Sequence, residues 1–317
     1  MGLEHIKATE IYEGRKLSFT DWANSKVNTD SVDENGELVL TDSAAGGTAI
    51  ATGTLTINKY IGKNPKLEDL ETLMDIAKKI GKSTGIITTD NIYGATPSSF
   101  SGHSENRNNS EEIFISQIKT SNVDLLCGHT NSLAISNQVM LGNYGYNFCN
   151  NFQIIEETFN FHKNYWQFDL AENNPDIQLN DVSEKALNYL DRNENGFMLM
   201  IEQAHIDKYA HANDLDGVIK CVNYLDKTVE TVLDWIGNRE DTLVIVTADH
   251  ETGGLFCSIN NEFDSSFETK NGSNFTYKFT TDNHTKASIG IFVYGAIPIF
   301  KSFSKYNSND LIRNTNT

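Results

Sequence analysis

Positive charge is scarce in this sequence. Its 317 residues include 25 Lys and Arg against 43 Asp and Glu, which gives a formal net charge of -18 at pH 7. Binding to duplex nucleic acid relies on a basic surface, so this charge argues against nucleic acid as a specific partner. The same charge repels an anionic substrate unless bound divalent metal ions reverse the field locally.

Long apolar runs are also missing. No stretch of 18 apolar residues occurs, so we expect no membrane span. Met1 to His5 is followed by no apolar run, so we expect no signal peptide in the chain as given. The four cysteines form no C-x-x-C pair, so neither a zinc ribbon nor a redox pair is indicated. Buried free thiols are the simpler interpretation and a disulfide is the alternative for Cys127, Cys149, Cys221 and Cys257.

Short apolar runs alternate with amphipathic stretches along the chain. The predicted strands are 37–41 (ELVLT), 84–89 (TGIITT), 123–127 (VDLLC), 197–201 (FMLMI), 242–246 (TLVIV) and 289–294 (IGIFVY). Apolar residues at helical spacing predict helices within 67–80, 183–191 and 215–236. Strands that are apolar on both faces and separated by helices indicate an α/β fold. We predict a three-layer αβα sandwich with a central, mostly parallel sheet.

Polar residues follow the predicted strands, and ligands bind beyond the carboxyl ends of strands in such sheets. The run ELVLT is followed by Asp42 and Ser43, which begin a small-residue segment. A serine at a strand-to-helix turn is exposed, and the helix amides beside it can bind an anion. On this segment alone, however, an ordinary helix N-cap is the favoured interpretation.

Two further strand ends carry residues of metal-binding type. After FMLMI come Glu202, Asp207 and His211. The last two share one helix face at a spacing of four and can hold one metal ion, whereas Glu202 is the hard oxygen ligand that magnesium prefers. After TLVIV come Asp249 and His250, which can form half of a second metal site. For each cluster the alternative is a solvated polar loop.

A last imidazole, that of His284, stands in an Asn-His-Thr segment before the final strand. A lone histidine is more often a surface residue than a ligand. Each of these clusters is a modest signal when taken alone. Their joint placement at strand ends is much harder to attribute to chance.

Four segments resemble the signature segments of the alkaline phosphatases and occur in that family's order. They are TDSAAGGTA (41–49), IEQAHIDKYAH (201–211), VTADHETGG (246–254) and NHT (283–285). The resemblance implies the alkaline-phosphatase fold and hydrolysis of phosphate monoesters, a class of small-molecule substrate. It also implies a periplasmic or extracellular location and a homodimer.

The resemblance assigns roles around the reacting phosphate. Ser43 is the implied nucleophile, which forms a phosphoserine intermediate, and Asp42 supports it. Arg107 is implied to clamp the phosphate, since a guanidinium grips two oxygens at once and lysine cannot. Lys208 is implied to lie near the phosphate, through water.

The implied cofactors are two zinc ions and one magnesium ion. Metal coordination favours the serine alkoxide, and a pair of zinc ions can stabilise both the attacking and the leaving oxygen. The implied ligands are Asp207, His211 and His284 for the first zinc, Asp249, His250 and Ser43 for the second, and Glu202 and Thr96 for the magnesium.

Two departures from the family pattern stand out. Family members carry an upstream strand that ends in Asp-Gly-Met-Gly, and its Asp bridges the second zinc and the magnesium. This chain begins Met1-Gly2, so we expect the coding region to extend upstream. Residues 1–317 are then one domain that lacks its first strand and the bridging Asp, with irregular excursions near 131–164 and 258–281. Gly94 stands where many members carry Asp or His beside the magnesium.

Other functions are compatible with these residues. A sulfatase is disfavoured because Ser43 is followed by Ala-Ala-Gly and not by the x-P-x-R pattern. A related phosphodiesterase is harder to separate, although a serine in D-S-A-A favours monoesters. The remaining alternative is a non-catalytic truncated remnant, from which an active phosphatase differs in its zinc content per chain.

Overall fold

The structure is a computed structural model and describes residues 1–121, 123–170, 174 and 176–296. The α-helices in these ranges are α1 (Leu3–Glu13), α2 (Ser43–Thr52), α3 (Leu73–Lys79), α4 (Ala95–Ser101), α5 (Ser110–Lys119), α6 (Ser132–Ser136), α7 (Gln138–Asn143), α8 (Leu179–Leu190), α9 (His205–His211) and α10 (Leu215–Ile236). A 3-10 helix spans Phe152–Asn160. None of these helices has both the length and the apolar character needed to cross a bilayer.

The strands are β1 (Ala23–Val27), β2 (Ser31–Val32), β3 (Leu38–Val39), β4 (Ser83–Thr88), β5 (Leu125–His129), β6 (Tyr146–Cys149), β7 (Lys163–Phe168), β8 (Phe197–Glu202), β9 (Leu243–Val246), β10 (Glu251–Thr252), β11 (Phe256–Ser258), β12 (Ser265–Glu268), β13 (Asn274–Lys278), β14 (His284–Thr285) and β15 (Ile289–Gly295).

Five parallel strands form the main sheet, in the order β6-β7-β5-β4-β8. Successive side chains of a strand point to opposite faces, and neighbouring residues of β4 accordingly enter different cores. Ile86 packs with residues of α3, α4 and α5 on one face, whereas Ile87 packs with residues of α8 on the other. The predicted three-layer αβα architecture with a mostly parallel sheet is therefore confirmed.

A second, antiparallel sheet has the order β1-β15-β9. The sequence correctly places a strand at β9, but this strand is not a member of the parallel sheet. Within the described ranges, β8 pairs only with β4 and β9 pairs only with β15. The expectation that a strand is absent from the sequence stays a prediction.

Two elements differ from their predicted extent. The ELVLT run forms only the two-residue strand β3, which pairs with β2 outside the main sheet. The helix predicted within 67–80 begins at Leu73. Thr72 caps it and accepts a hydrogen bond from Asp75 N, and the Asp75 carboxylate in turn accepts from Thr72 N. This reciprocal capping box marks a helix start more strongly than the apolar spacing does.

The two stretches that we expected to be irregular contain regular elements. Residues 131–164 include α6, α7, the 3-10 helix and β6, which extends the edge of the main sheet. Residues 258–281 include β12 and β13, which pair with β11 in a small antiparallel sheet. All four cysteines are buried free thiols.

Candidate active site

The start of α2 places Ser43 beside the loop that follows β9. Asp42 is the N-cap, and its carboxylate accepts a hydrogen bond from Ala45 N at 3.0 Å. The capping interpretation is thus correct, and it leaves Ser43 as the first helical residue. The small residues that follow allow close packing, because a Cβ on Gly46 would lie 2.9 Å from Asp249 O.

A cluster of three candidate metal ligands comes from two distant segments. Asp207 and His211 lie on α9, and His284 lies on β14. One ligand atom from each can be chosen so that all three lie within 4.8 Å of one another. The spacing of four on a helix therefore does bring the first two together, and the fold adds the third.

The tautomers of both imidazoles in this cluster suit metal binding. His211 Nδ1 is 2.5 Å from the carbonyl oxygen of Asp282, and His284 Nδ1 is 2.9 Å from that of Thr41. A carbonyl only accepts, so Nδ1 carries the proton and Nε2 keeps its lone pair toward Asp207. Burial, together with the neighbouring His250, lowers the pKa of His284 and favours the neutral ligand form. These residues fit a zinc ion.

Asp249, His250 and Ser43 form a second group. His250 Nε2 lies 3.1 Å from Asp249 Oδ2 and 3.0 Å from Ser43 Oγ. Burial raises the pKa of the Asp249 carboxyl, but His250 outweighs this effect and leaves the pKa below its usual range. One nitrogen and two oxygens that converge in this way also fit a zinc ion.

The pairing of β10 with β14 joins the two groups. Thr252 lies opposite His284 and Glu251 lies opposite Thr285. The rings of His250 and His284 stack with centroids 3.5 Å apart. Two motifs that are well separated in the sequence thus share one wall of the site.

Glu202 ends β8 and faces the adjacent strand end. Its carboxylate accepts hydrogen bonds from Thr88 at the end of β4 and from Thr96 on α4. Burial raises the pKa of Glu202 to about 7, the charge of Asp249 adds to this effect, and the two threonines oppose it. A carboxylate with hydroxyl neighbours suits a hard cation such as magnesium.

A cavity of about 400 Å³ opens onto Ser43 and the first cluster of ligands, and its lining includes Ser43, Arg107, Asp207, His211 and His284. Arg107 Nη1 donates to Asp42 Oδ2 at 3.2 Å. The guanidinium keeps further donors for a second anion, because it carries five N–H groups.

Lys208 is placed differently. In the part of the chain that the structure describes, it does not line this cavity. Its Nζ instead lies 2.9 Å from Asp90 Oδ1, and the side chain is about half exposed. Asp90 lies two residues beyond Thr88, the last residue of β4, so the end of this predicted strand is the signal that could have found both residues.

Comparison with known proteins identifies the family. The alkaline phosphatase family model matches residues 3–150 and 160–310. Alkaline phosphatase 4 of Bacillus subtilis is 32% identical over 238 residues, which cover 70% of this chain and 52% of that protein. The repressible alkaline phosphatase of Saccharomyces cerevisiae is 29% identical over 272 residues, with coverage of 71% and 47%. The chain thus spans about half the length of these relatives.

Solved structures agree with the fold. The alkaline phosphatase from the Antarctic bacterium TAB5 aligns with a TM-score of 0.84 and 24% identity over 99% of this chain and 93% of that chain. A cold-active alkaline phosphatase from Shewanella aligns with a TM-score of 0.87 and 23% identity over 98% and 95%. With the family model matched along nearly the whole chain, this protein belongs to the alkaline phosphatase family.

Proposed function

We propose that this chain hydrolyses phosphate monoesters through a phosphoserine intermediate on Ser43. The observation that carries the proposal is convergence at one cavity. Ser43 Oγ lies 3.0 Å from His250 Nε2, and the same cavity is lined by Asp207, His211, His284 and Arg107. A nucleophile, two sets of metal ligands and an anion-binding guanidinium are the components that metal-assisted phosphoryl transfer requires.

Ser43 is favourably placed to attack phosphorus. It sits at the amino end of α2, where the helix dipole stabilises negative charge on the serine oxygen and on the phosphoryl group. Its Oγ lies 3.0 Å from His250 Nε2, and a cation held by both atoms would favour the serine alkoxide.

Arg107 binds and orients the substrate in this proposal. Charge-assisted hydrogen bonds from a guanidinium to two phosphate oxygens fix the phosphorus relative to Ser43. The Asp42 carboxylate holds one edge of the guanidinium and so limits its rotation. The overall charge of -18 opposes the approach of a phosphate, which makes this local cation more important.

Asp207, His211 and His284 would hold one zinc, Asp249, His250 and Ser43 a second, and Glu202 with Thr96 a magnesium. When bound, these cations supply charge stabilisation for the attacking and leaving oxygens and lower the pKa of the groups they coordinate. One solved variant of the TAB5 enzyme is described with Mg bound in its M3 site. Small-molecule phosphate monoesters as substrates, a homodimer and a location outside the cytoplasm complete the proposal.

The test is a trapping experiment. Turnover of a labelled phosphate monoester, quenched in acid, should leave label on Ser43 of the wild-type chain and none on S43A. The matched control is S110A, because Ser110 is also the first residue of a helix and does not line the cavity. Absence of label from the wild type, or label on S43A, would contradict the proposal. Faster hydrolysis of diesters than of monoesters would favour the phosphodiesterase alternative.

A second test concerns the metal ions. D207A and H284A should each lower zinc content and activity together, because both side chains hold the same ion. Full activity after exhaustive chelation would contradict metal dependence. A folded wild-type chain that binds no zinc would support the non-catalytic alternative.

A further inference from the structure

Thr252 is the one side chain, among the described residues, that we find joined by hydrogen bonds to both groups of zinc ligands. Its hydroxyl oxygen lies 2.5 Å from Asp207 Oδ1 and 3.2 Å from His250 Nδ1. The residue is fully buried on β10. Its backbone pairs with that of His284, so strand pairing fixes where the hydroxyl sits.

The hydroxyl has only one hydrogen, and this decides the direction of both bonds. An ionised carboxylate only accepts, so the short contact to Asp207 takes the hydrogen. Toward His250 the hydroxyl therefore presents a lone pair. His250 Nδ1 must donate to it, which places a proton on Nδ1. Nε2 lies 3.1 Å from Asp249 Oδ2 and 3.0 Å from Ser43 Oγ, so it faces the other ligands of the second group.

The arrangement differs from that of the other two imidazoles. His211 and His284 each donate Nδ1–H to a backbone carbonyl. Among the described hydrogen bonds, neither carbonyl also contacts a side chain of the second group. For His250 the acceptor is a side chain that simultaneously holds a ligand of the first group. Any displacement of Asp207 therefore weakens the contact that orients His250, and the converse also holds.

We propose that Thr252 is a positioning residue that couples the two zinc subsites, orienting Asp207 and holding the Nδ1–H of His250 through one hydroxyl. The inference rests on the proposed function. Partners of this kind beyond the ligands themselves change metal affinity by about 10- to 100-fold when they are removed. We expect loss of the hydroxyl to weaken zinc binding at both subsites, although Thr252 is a ligand in neither.

The first experiment reads the protonation of His250 Nδ1 directly in the metal-free chain of residues 1–317. Nitrogen-15 correlation spectra distinguish Nδ1–H from Nε2–H imidazoles, and an H250N spectrum assigns the His250 signals among the eight histidines. We expect Nδ1–H in the wild type and in T252S, and a loss of that preference in T252V, which has nearly the same shape but no hydroxyl. A His250 Nδ1 that carries no proton in the wild type overturns the proposal, whether or not any variant folds.

The second experiment measures zinc binding by competition with a chromophoric chelator. We expect both zinc affinities to fall by about 10- to 100-fold in T252V and to recover in T252S. The matched control is T228V, which removes another buried hydroxyl, one that bonds to Tyr224 O away from the site. Wild-type affinity at both subsites of T252V, or a loss confined to one subsite, overturns the coupling.

The two proposals fail in different ways. A wild-type chain that binds no zinc contradicts the proposed function, while the tautomer measurement still decides the role of Thr252. A wild-type chain that binds two zinc ions and turns over substrate, with T252V unchanged, contradicts only the further inference.

Discussion

Asp42 forms an ion pair with Arg107, which lines the cavity, with Oδ2 of the aspartate 3.2 Å from Nη1 of the arginine. The other carboxylate oxygen of Asp42 accepts from Ala45 N at 3.0 Å and so caps α2. One carboxylate therefore caps the helix that carries Ser43 and also holds the guanidinium of Arg107, which lines the same cavity.

The two roles of Asp42 can be separated by substitution. D42N should keep the cap, since Asn caps helices about as well as Asp, but it removes the charge that holds Arg107. We expect D42N to keep its stability and to lose about 1 kcal/mol of phosphate affinity, because the pair is partly exposed. D42A should lose about 1 kcal/mol of unfolding free energy as well. Chemical denaturation and inhibition by inorganic phosphate measure the two effects, and equal stability of D42A and D42N would contradict the capping role.

Arg107 should contribute to phosphate binding and not to the binding of metal ions. R107A should keep the zinc content of the wild type and weaken phosphate binding by about 1.5–3 kcal/mol, the value of a charge-assisted hydrogen bond. R107K should recover only part of this loss, because an ammonium cannot grip two oxygens in a fixed fork. Zinc analysis and phosphate inhibition constants provide the comparison. A variant that loses its zinc would reveal a structural role for Arg107.

Glu202 should make the stability of the metal-free protein depend on pH. Its folded pKa of about 7 lies above the usual 4.5, so between these values the folded state keeps a proton that the unfolded state releases. The unfolding free energy should therefore fall as pH rises from 4.5 to 7 and then level off. Magnesium should reverse the trend, because it binds the carboxylate form.

The measurement is a series of melting temperatures across this range in the presence of a chelator. E202Q is the control, since its amide does not titrate in the same position. We expect the melting temperature of the wild type to fall relative to that of E202Q as the pH rises from 4.5 to 7. Parallel curves for the two proteins would show that Glu202 does not have a raised pKa.

Gly217 should be required for the packing of α9. A Cβ there would lie 2.1 Å from Tyr209 Cδ1, and Tyr209 shares α9 with two candidate zinc ligands. Ala in a helix is better than Gly by about 0.8–1.0 kcal/mol, but forced overpacking costs about 1–3 kcal/mol. We therefore expect G217A to be less stable than the wild type and to bind zinc more weakly.

The matched control is G142A on α7, where a Cβ would meet nothing within 4 Å. That substitution should leave zinc binding unchanged and should stabilise slightly or be neutral. Thermal melts and zinc titrations of both variants test the contrast. A stabilised G217A with normal zinc affinity would show that α9 tolerates the extra methyl group.

Much of the site could be predicted because its chemistry is local in the sequence. Asp207 and His211 are one helical turn apart, so helix geometry alone brings them to one face. Asp249 and His250 are adjacent and follow a strong apolar run, so the strand end that presents them is visible in the pattern. The roles of Ser43, Thr96 and Arg107 came from resemblance to a family, and the structure places Ser43 and Arg107 at the cavity.

The residues that were missed act through partners far away in the sequence. Asp90 pairs with Lys208, and Thr88 donates to Glu202, across more than a hundred residues. Thr252 lies inside a quoted motif, yet its two hydrogen bonds could not be assigned before Asp207 was placed beside it. The pairing of β9 with β15 was missed for the same reason, since an apolar run specifies a strand and not its partner.

What the sequence by itself determined is six of the strands, three of the helices, the order of the motifs and the family. Periodicity and capping act over a few residues, and each family signature is a short contiguous segment of the sequence. Only the tertiary structure decided which strand edges pair, which tautomer each imidazole adopts and where Lys208 points. Those outcomes depend on contacts such as the pairing of Thr252 with His284. They arise from packing across the whole chain, because hydrogen bonds and ion pairs form only where distant segments are brought within about 3 Å.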